Sequence, residues 1–135
     1  MATLQLAIVT PERSIYSGNV ETVKIPGTEG SFGVLPRHAP LLAAVAVGTI
    51  AFVEAGGRSQ RAATSGGFAE VNGESVTVLA ETAELAGQID VARARAALQG
   101  ARDRVNRADD EDVDRARAEA ALSRAKNRLK LSGGQ

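Results

Sequence analysis

Hydrophobic and polar positions follow two different rhythms along this chain of 135 residues. In the first rhythm, from Leu4 to about Leu79, short apolar runs are broken by turn residues at intervals of ~8–12 residues. Residues 4–9 predict a strand that ends at Thr10, Pro11 and Glu12. Residues 20–25 place Val20, Val23 and Ile25 among polar neighbours, an alternation that departs from strict period two. Pro26, Gly27, Gly30 and Gly33 predict a loop enclosing Phe32 and Val34. A strand ending near Val47 follows, then residues 50–53, which turn at Ala55, Gly56 and Gly57 into an antiparallel return over 58–64. Residues 68–71 and 76–79 read as a hairpin about Asn72 and Gly73, a dipeptide suited to positive φ. Many short strands with no helical period between them predict a β-sandwich or barrel.

The second rhythm starts at Asp90. Val91, Ala94, Leu98, Ala101 and Val105 recur at spacings of three and four, the stripe of a helix that packs on another helix. A second helix over about 113–131 carries Ala118, Ala121, Leu122, Ala125 and Leu129 on its own stripe. A short acidic turn joins the two, so they predict an antiparallel hairpin. Alanine dominates the seam, and each buried methylene contributes only ~0.8 kcal/mol. The helices form readily, because alanine heads the propensity scale, but grip each other lightly. The expected architecture is therefore mainly β plus α: a sandwich of short antiparallel strands over 1–86 and a two-helix hairpin over 87–135. Residues 80–88 read as the connector between them.

Composition adjusts this picture at a few points. A hydrophobic content of 44% with only 3% aromatic residues requires an aliphatic core. The absence of cysteine excludes disulfides and thiolate metal sites. No apolar run approaches the ~18 residues of a membrane span. The start, MATLQLAIVTPE, lacks the charged and long apolar regions of a signal peptide, so none is expected. Formal net charge is zero, yet it is divided unevenly. Up to residue 89, five Lys and Arg face eight Asp and Glu, a net of −3; beyond it eleven face eight, a net of +3. A basic helical tail on an acidic body suits an acidic partner. Nucleic acid is not expected, because the tail has no aromatic residue to stack on bases and acids interrupt its basic residues.

Several segments, taken in order, resemble one family. Gly-Ser-Phe-Gly-Val-Leu-Pro-Arg-His-Ala-Pro-Leu-Leu over residues 30–42, followed by Gly48, resembles the epsilon subunit of bacterial-type rotary ATP synthases. So do Gly-Gly-Phe-Ala-Glu-Val over 66–71, the hairpin leading to Val-Thr-Val-Leu-Ala-Glu-Thr-Ala-Glu, Ile-Asp-Val-Ala-Arg-Ala-Arg-Ala-Ala from residue 89, and Arg-Ala-Lys-Asn-Arg-Leu over 124–129. The resemblance runs nearly end to end. It implies a sandwich seated on the rotor, against the gamma subunit and the ring of membrane-embedded c subunits. It also implies an arm with two positions: folded down, it permits turnover; extended along gamma into the catalytic alpha/beta head, where it meets an acidic segment, it inhibits ATP hydrolysis. The implied location is peripheral, on the cytoplasmic face of the inner membrane, with membrane association only through the complex.

The resemblance assigns Gly30, Ser31, Phe32, Gly33, Pro36 and His38 to contact with gamma and the c-ring, although glycines here are also what a tight loop needs. Ser31 stands where some members carry an acid. His38 is the only histidine, which rules out a multi-histidine metal site and suits a loop or interface residue. A regulatory ATP site is implied at Glu84, Ile89, Asp90, Arg93, Ala94, Arg124 and Arg128, with no cofactor required for the main role. Read from the residues alone, Asp90 serves equally as a helix cap, and Ile89 with Ala94 as a hydrophobic staple. Arg117, Arg124 and Arg128 share one edge of the second helix, where guanidinium groups converge on phosphates or carboxylates in either arm position. Gly100 replaces an arginine of the ATP-binding members, and Arg102, about 200° further round, is no substitute. Weak or absent ATP binding is expected.

The acidic run Asp109, Asp110, Glu111, Asp112 and Asp114 fails the EF-hand pattern, since Arg115 and Ala121 occupy the positions that need Gly and Glu. Acids there suit a turn and a helix N-terminus instead. No phosphate-binding Gly-x-x-x-x-Gly-Lys-Ser/Thr stretch and no motif-supported Ser/His/Asp set is present, so no catalytic residue is expected. An autonomous ATP-sensing binding protein is the alternative, and an RNA-binding module with an arginine-rich arm comes third.

Overall fold

A computed structural model describes residues 2–106 and 115–132, which divide after Leu85 into two compact units. The first unit contains nine strands: β1 (Leu4–Val9), β2 (Ser14–Gly27), β3 (Gly30–Val34), β4 (Leu41–Val45), β5 (Gly48–Glu54), β6 (Ser59–Thr64), β7 (Gly67–Val71), β8 (Ser75–Ala80) and β9 (Ala83–Leu85). One long strand explains how they close over a single core. β2 pairs with β1 along its first half and with β5 and β3 along its second, so it belongs to both layers. On one side lies the order β1-β8-β7-β4, with β1 and β8 parallel; on the other lie β5, β6 and β9 beside β2, with β3 on β2's free flank. This is the expected β-sandwich.

The irregular alternation of β2 has a structural cause. Val20 pairs with Glu54 and Thr22 with Val53, so Glu21 is an extra residue in the ladder. Such a bulge resets the phase of the strand and bends it. Val20 and Val23, three positions apart, therefore both point into the core, followed by Ile25. Their companions are Leu4, Leu6, Ile8, Val34, Val45, Ile50, Phe52, Val71, Val76 and Val78, an aliphatic cluster with one fully buried aromatic ring.

Three local expectations are corrected. The glycine-punctuated segment read as a loop is strand β3, because Phe32 and Val34 find partners in Ile25 and Val23. The connector over 80–88 contains β9, which pairs with β6, and a single 3₁₀ turn, Ala86–Gln88. The Asn72–Gly73 turn does not use positive φ. Instead the Asn72 Oδ1 accepts hydrogen bonds from the backbone N–H of Glu74 and Ser75, at 3.1 and 3.0 Å. That side-chain turn removes the need for a left-handed residue. Gly67 is irreplaceable for another reason. Its φ is 154°, and a Cβ there would collide with the Leu79 carbonyl oxygen on β8.

The second unit contains the helices α1 (Val91–Asn106) and α2 (Arg115–Ser132), packed as the expected hairpin. Asp90 caps α1: its Oδ1 accepts the Arg93 backbone N–H at 3.1 Å. Ala94, Leu98, Ala125 and Leu129 form the buried seam, with Ile89, Val91 and Leu122 packed around it. Ala101 and Ala118 are buried as well. The first residues expected in the second helix, 113 and 114, and the acidic run over 109–114 lie outside the described residues.

Candidate functional site

The residues expected to meet a rotor partner do not lie on one loop. β3 separates Gly30 and Ser31 at its start from Pro36 and His38 beyond its end, and its four steps span about 13 Å at ~3.3 Å each. Ser31 and Gly33 are exposed, while Phe32 packs on the core. Beyond β3, Leu35, Pro36, Arg37 and His38 form a turn closed by the His38 N–H donating to the Leu35 carbonyl at 3.1 Å. Proline at the second position and a positive φ of 70° at Arg37 give it the type II pattern. Arg37 N–H also donates to the Gly73 carbonyl at 2.8 Å, tying this turn to the β7–β8 turn. His38 Nδ1 donates to the Ala39 carbonyl at 2.6 Å, a local bond that suits a loop residue better than a base.

A surface that sequence reasoning missed lies on the outer face of the β1-β8-β7-β4 layer. Ladder partners point to the same face, and Ala44, Phe68, Leu79 and Val9 stand in register across four strands. Phe68 is 57% exposed and Leu79 56%. Leu42, on the same face beside Glu70, is 71% exposed, and Leu35 on the nearby turn is 60% exposed. Large exposed side chains grouped on one layer mark a contact surface. The signal was present in β8: Val76, Val78 and Ala80 are buried in alternation, so Leu79 is apolar in the phase where a solvated strand carries a polar residue. A cleft of about 530 Å³ lined by Pro40, Leu41, Leu42, Glu70, Val71 and Asn72 adjoins it. The outer face of the opposite layer has a different character: Lys24 and Arg61 flank Ala51 in a trough of about 510 Å³.

The residues assigned to nucleotide are distributed over both units. Glu84 sits half-buried on β9, opposite Ala63. In the hairpin, Asp90 is occupied as the cap of α1, and Ile89 and Ala94 belong to the seam cluster. Arg93 is exposed; Arg124 and Arg128 are half-buried beside the seam, and Arg117 is exposed near the start of α2. A Cβ at Gly100 would meet nothing within 4 Å, so no neighbour requires glycine there. Among the described residues no cluster of three or more His, Cys, Asp or Glu side chains could hold a metal ion. No described helix is long and apolar enough to cross a membrane.

Comparison with known proteins accounts for both units. Residues 3–86 match the family described as ATP synthase, Delta/Epsilon chain, beta-sandwich domain, and residues 88–133 match the corresponding long alpha-helix domain. A protein of Halalkalibacterium halodurans named ATP synthase epsilon chain is 45% identical over 133 residues, covering 98% of this chain and 99% of its own length. One of the same name from Desulforamulus reducens is 50% identical over 104 residues, covering 77% of this chain and 78% of its own. Among solved structures, a chain in the Euglena gracilis mitochondrial ATP synthase, seen by cryo-electron microscopy with OSCP, F1 and c-ring, superposes with a TM-score of 0.81 at 28% identity. That match covers 98% of this chain and 82% of the other.

Proposed function

Because the chain belongs to the ATP synthase delta/epsilon chain family, we propose that it is a non-catalytic central-stalk subunit that docks on the rotor and restrains ATP hydrolysis with its helical arm. The observation that carries this reading is the contrast between the two cores. The sandwich core is mostly Leu, Ile, Val and Phe with a minority of alanines, whereas alanine makes up half of the buried hairpin cluster Ala94, Leu98, Ala125 and Leu129. Burial of a Leu or Ile side chain contributes ~1.5–3 kcal/mol, several times what one methyl supplies. The sandwich is thus a rigid base, and the hairpin an element whose helices persist while their packing rearranges at small cost.

In this proposal the sandwich contacts gamma and the c-ring. The exposed row of Phe68 and Leu79, with Leu42 and the turn at 35–38, supplies the apolar contact area. The arm carries a net charge of +3 beyond residue 89, which complements an acidic stretch on the alpha/beta head. The subunit would sit peripherally at the cytoplasmic face of the inner membrane, held there by its partners. Docking is tested by capture on a purified gamma and c-ring assembly. A chain ending at Gln88 should bind about as well as the full-length chain, and failure of both would refute the rotor assignment.

The residues at the implied ATP site argue against tight nucleotide binding. Ile89, Asp90 and Ala94 already serve the cap and seam, and position 100 offers no cation. Calorimetry on the purified chain is expected to show no micromolar ATP affinity; a dissociation constant in that range would favour an autonomous ATP sensor.

A further inference from the structure

Arg37 is the only non-glycine residue with positive φ among the described residues. L-residues avoid this region because Cβ crowds the following carbonyl, and glycine or asparagine normally occupies the third position of such a turn. The surroundings hold Arg37 there from three directions: Pro36 fixes the preceding φ, His38 closes the turn, and Gly73 accepts the Arg37 N–H. No interaction within the sandwich accounts for the choice of side chain. Arg37 is exposed, and among the described residues no hydrogen bond or ion pair engages its guanidinium. The two hydrogen bonds explain the backbone but not the side chain, and strained residues of this kind cluster at contact and ligand sites.

We propose that Arg37 is an electrostatic anchor, presenting its guanidinium to a carboxylate of the rotor partner. This assignment rests on the rotor reading above and adds a specific contact chemistry to it. A guanidinium pairs with a carboxylate through two parallel hydrogen bonds, and fixing its base on a strained, doubly tethered turn limits the freedom lost on pairing. The neighbours identify a protein partner. Leu35 and Leu42 are 60% and 71% exposed, and an open apolar depression lined by Leu41 and Leu42 adjoins them. A carboxylate flanked by apolar residues matches that combination. Glu70 and Glu74 are also exposed on this end and disfavour a carboxylate placed beside them.

Full-length chains carrying Arg37→Gly, Arg37→Lys and Arg37→Glu would be compared with the parent in thermal melting and in binding to the purified gamma and c-ring assembly at low and high salt. Arg37→Gly relieves the backbone, so its Tm should rise by about 4 °C. Its affinity for the assembly should nevertheless fall roughly fivefold and lose part of its salt dependence. Arg37→Lys should retain most of the binding, and Arg37→Glu should bind least. A purely structural role predicts the opposite pairing, with stability and binding changing together. Binding unaffected by Arg37→Gly would overturn this assignment alone. No binding by the parent would overturn the rotor reading and the assignment with it. Loss of affinity for anionic phospholipid vesicles, with rotor affinity unchanged, would replace the carboxylate with a lipid headgroup and likewise overturn it.

Discussion

Tyr16 shows how much one side chain can report. It is the only tyrosine of the chain, and its ring lies 4.5 Å from that of Phe52, centroid to centroid. Burial holds its phenol above the usual pKa, assisted by the charge of Glu54 and a hydrogen bond to it. Glu54 is fixed in turn by Gln60, whose Nε2 donates to Glu54 Oε1 at 3.0 Å. A pKa higher in the folded than in the unfolded chain favours folding while the phenol is protonated. The contribution is complete below about pH 10, the unfolded value, and is lost as pH rises through the folded value. An ultraviolet titration should therefore show the phenol ionising late, and Tyr16→Phe should remove that part of the alkaline loss of stability. A normal phenol titration would contradict both the burial of the ring and its contact with Glu54. Gly100 offers a second single-residue test. Because a methyl group there meets nothing, Gly100→Ala should stabilise the hairpin by about 1 kcal/mol in helix melting monitored by circular dichroism.

At the scale of elements, the hairpin's weakness lies in particular side chains. Leu98 and Leu129 are its only buried leucines within the seam cluster. Leu98→Ala should cost about 2–3 kcal/mol and lower helix content while the melting of the sandwich stays unchanged; a single joint transition shifted by the substitution would contradict separate cores. Both stripes were legible in the sequence because helix periodicity depends only on local spacing, and every residue assigned to them is buried or half-buried. Strands were legible where a short apolar run was bounded by turn residues, as in β1 and β5. β3 was not, since its glycines signal turns and its pairing depends on β2, a neighbour that spacing alone does not identify. β9 is only three residues long, too short to show a period. Likewise, the positive φ of Arg37 is held in part by a tether to Gly73, thirty-six positions away in sequence, which no local pattern reveals. The Phe68–Leu79 row shows the same limit: pairing across strands brought together residues that look like ordinary strand hydrophobics one at a time.

For the whole molecule, the division of chemistry between the units is what gives the proposal its mechanism. The sandwich is acidic overall, rigidly cored and marked on one layer by exposed apolar side chains. The hairpin is basic, lightly cored and built from residues that favour helix whatever their packing. If, as proposed, the sandwich binds and the arm moves, truncation separates the two roles without removing any residue of the first unit's core. The most direct measurement is the rate of ATP hydrolysis by the matching catalytic head assembled with gamma, in the presence of either the full-length chain or a chain ending at Gln88. Both should bind, but the full-length chain should suppress hydrolysis and the truncated chain should suppress it much less. Equal suppression by the two would contradict an inhibitory arm.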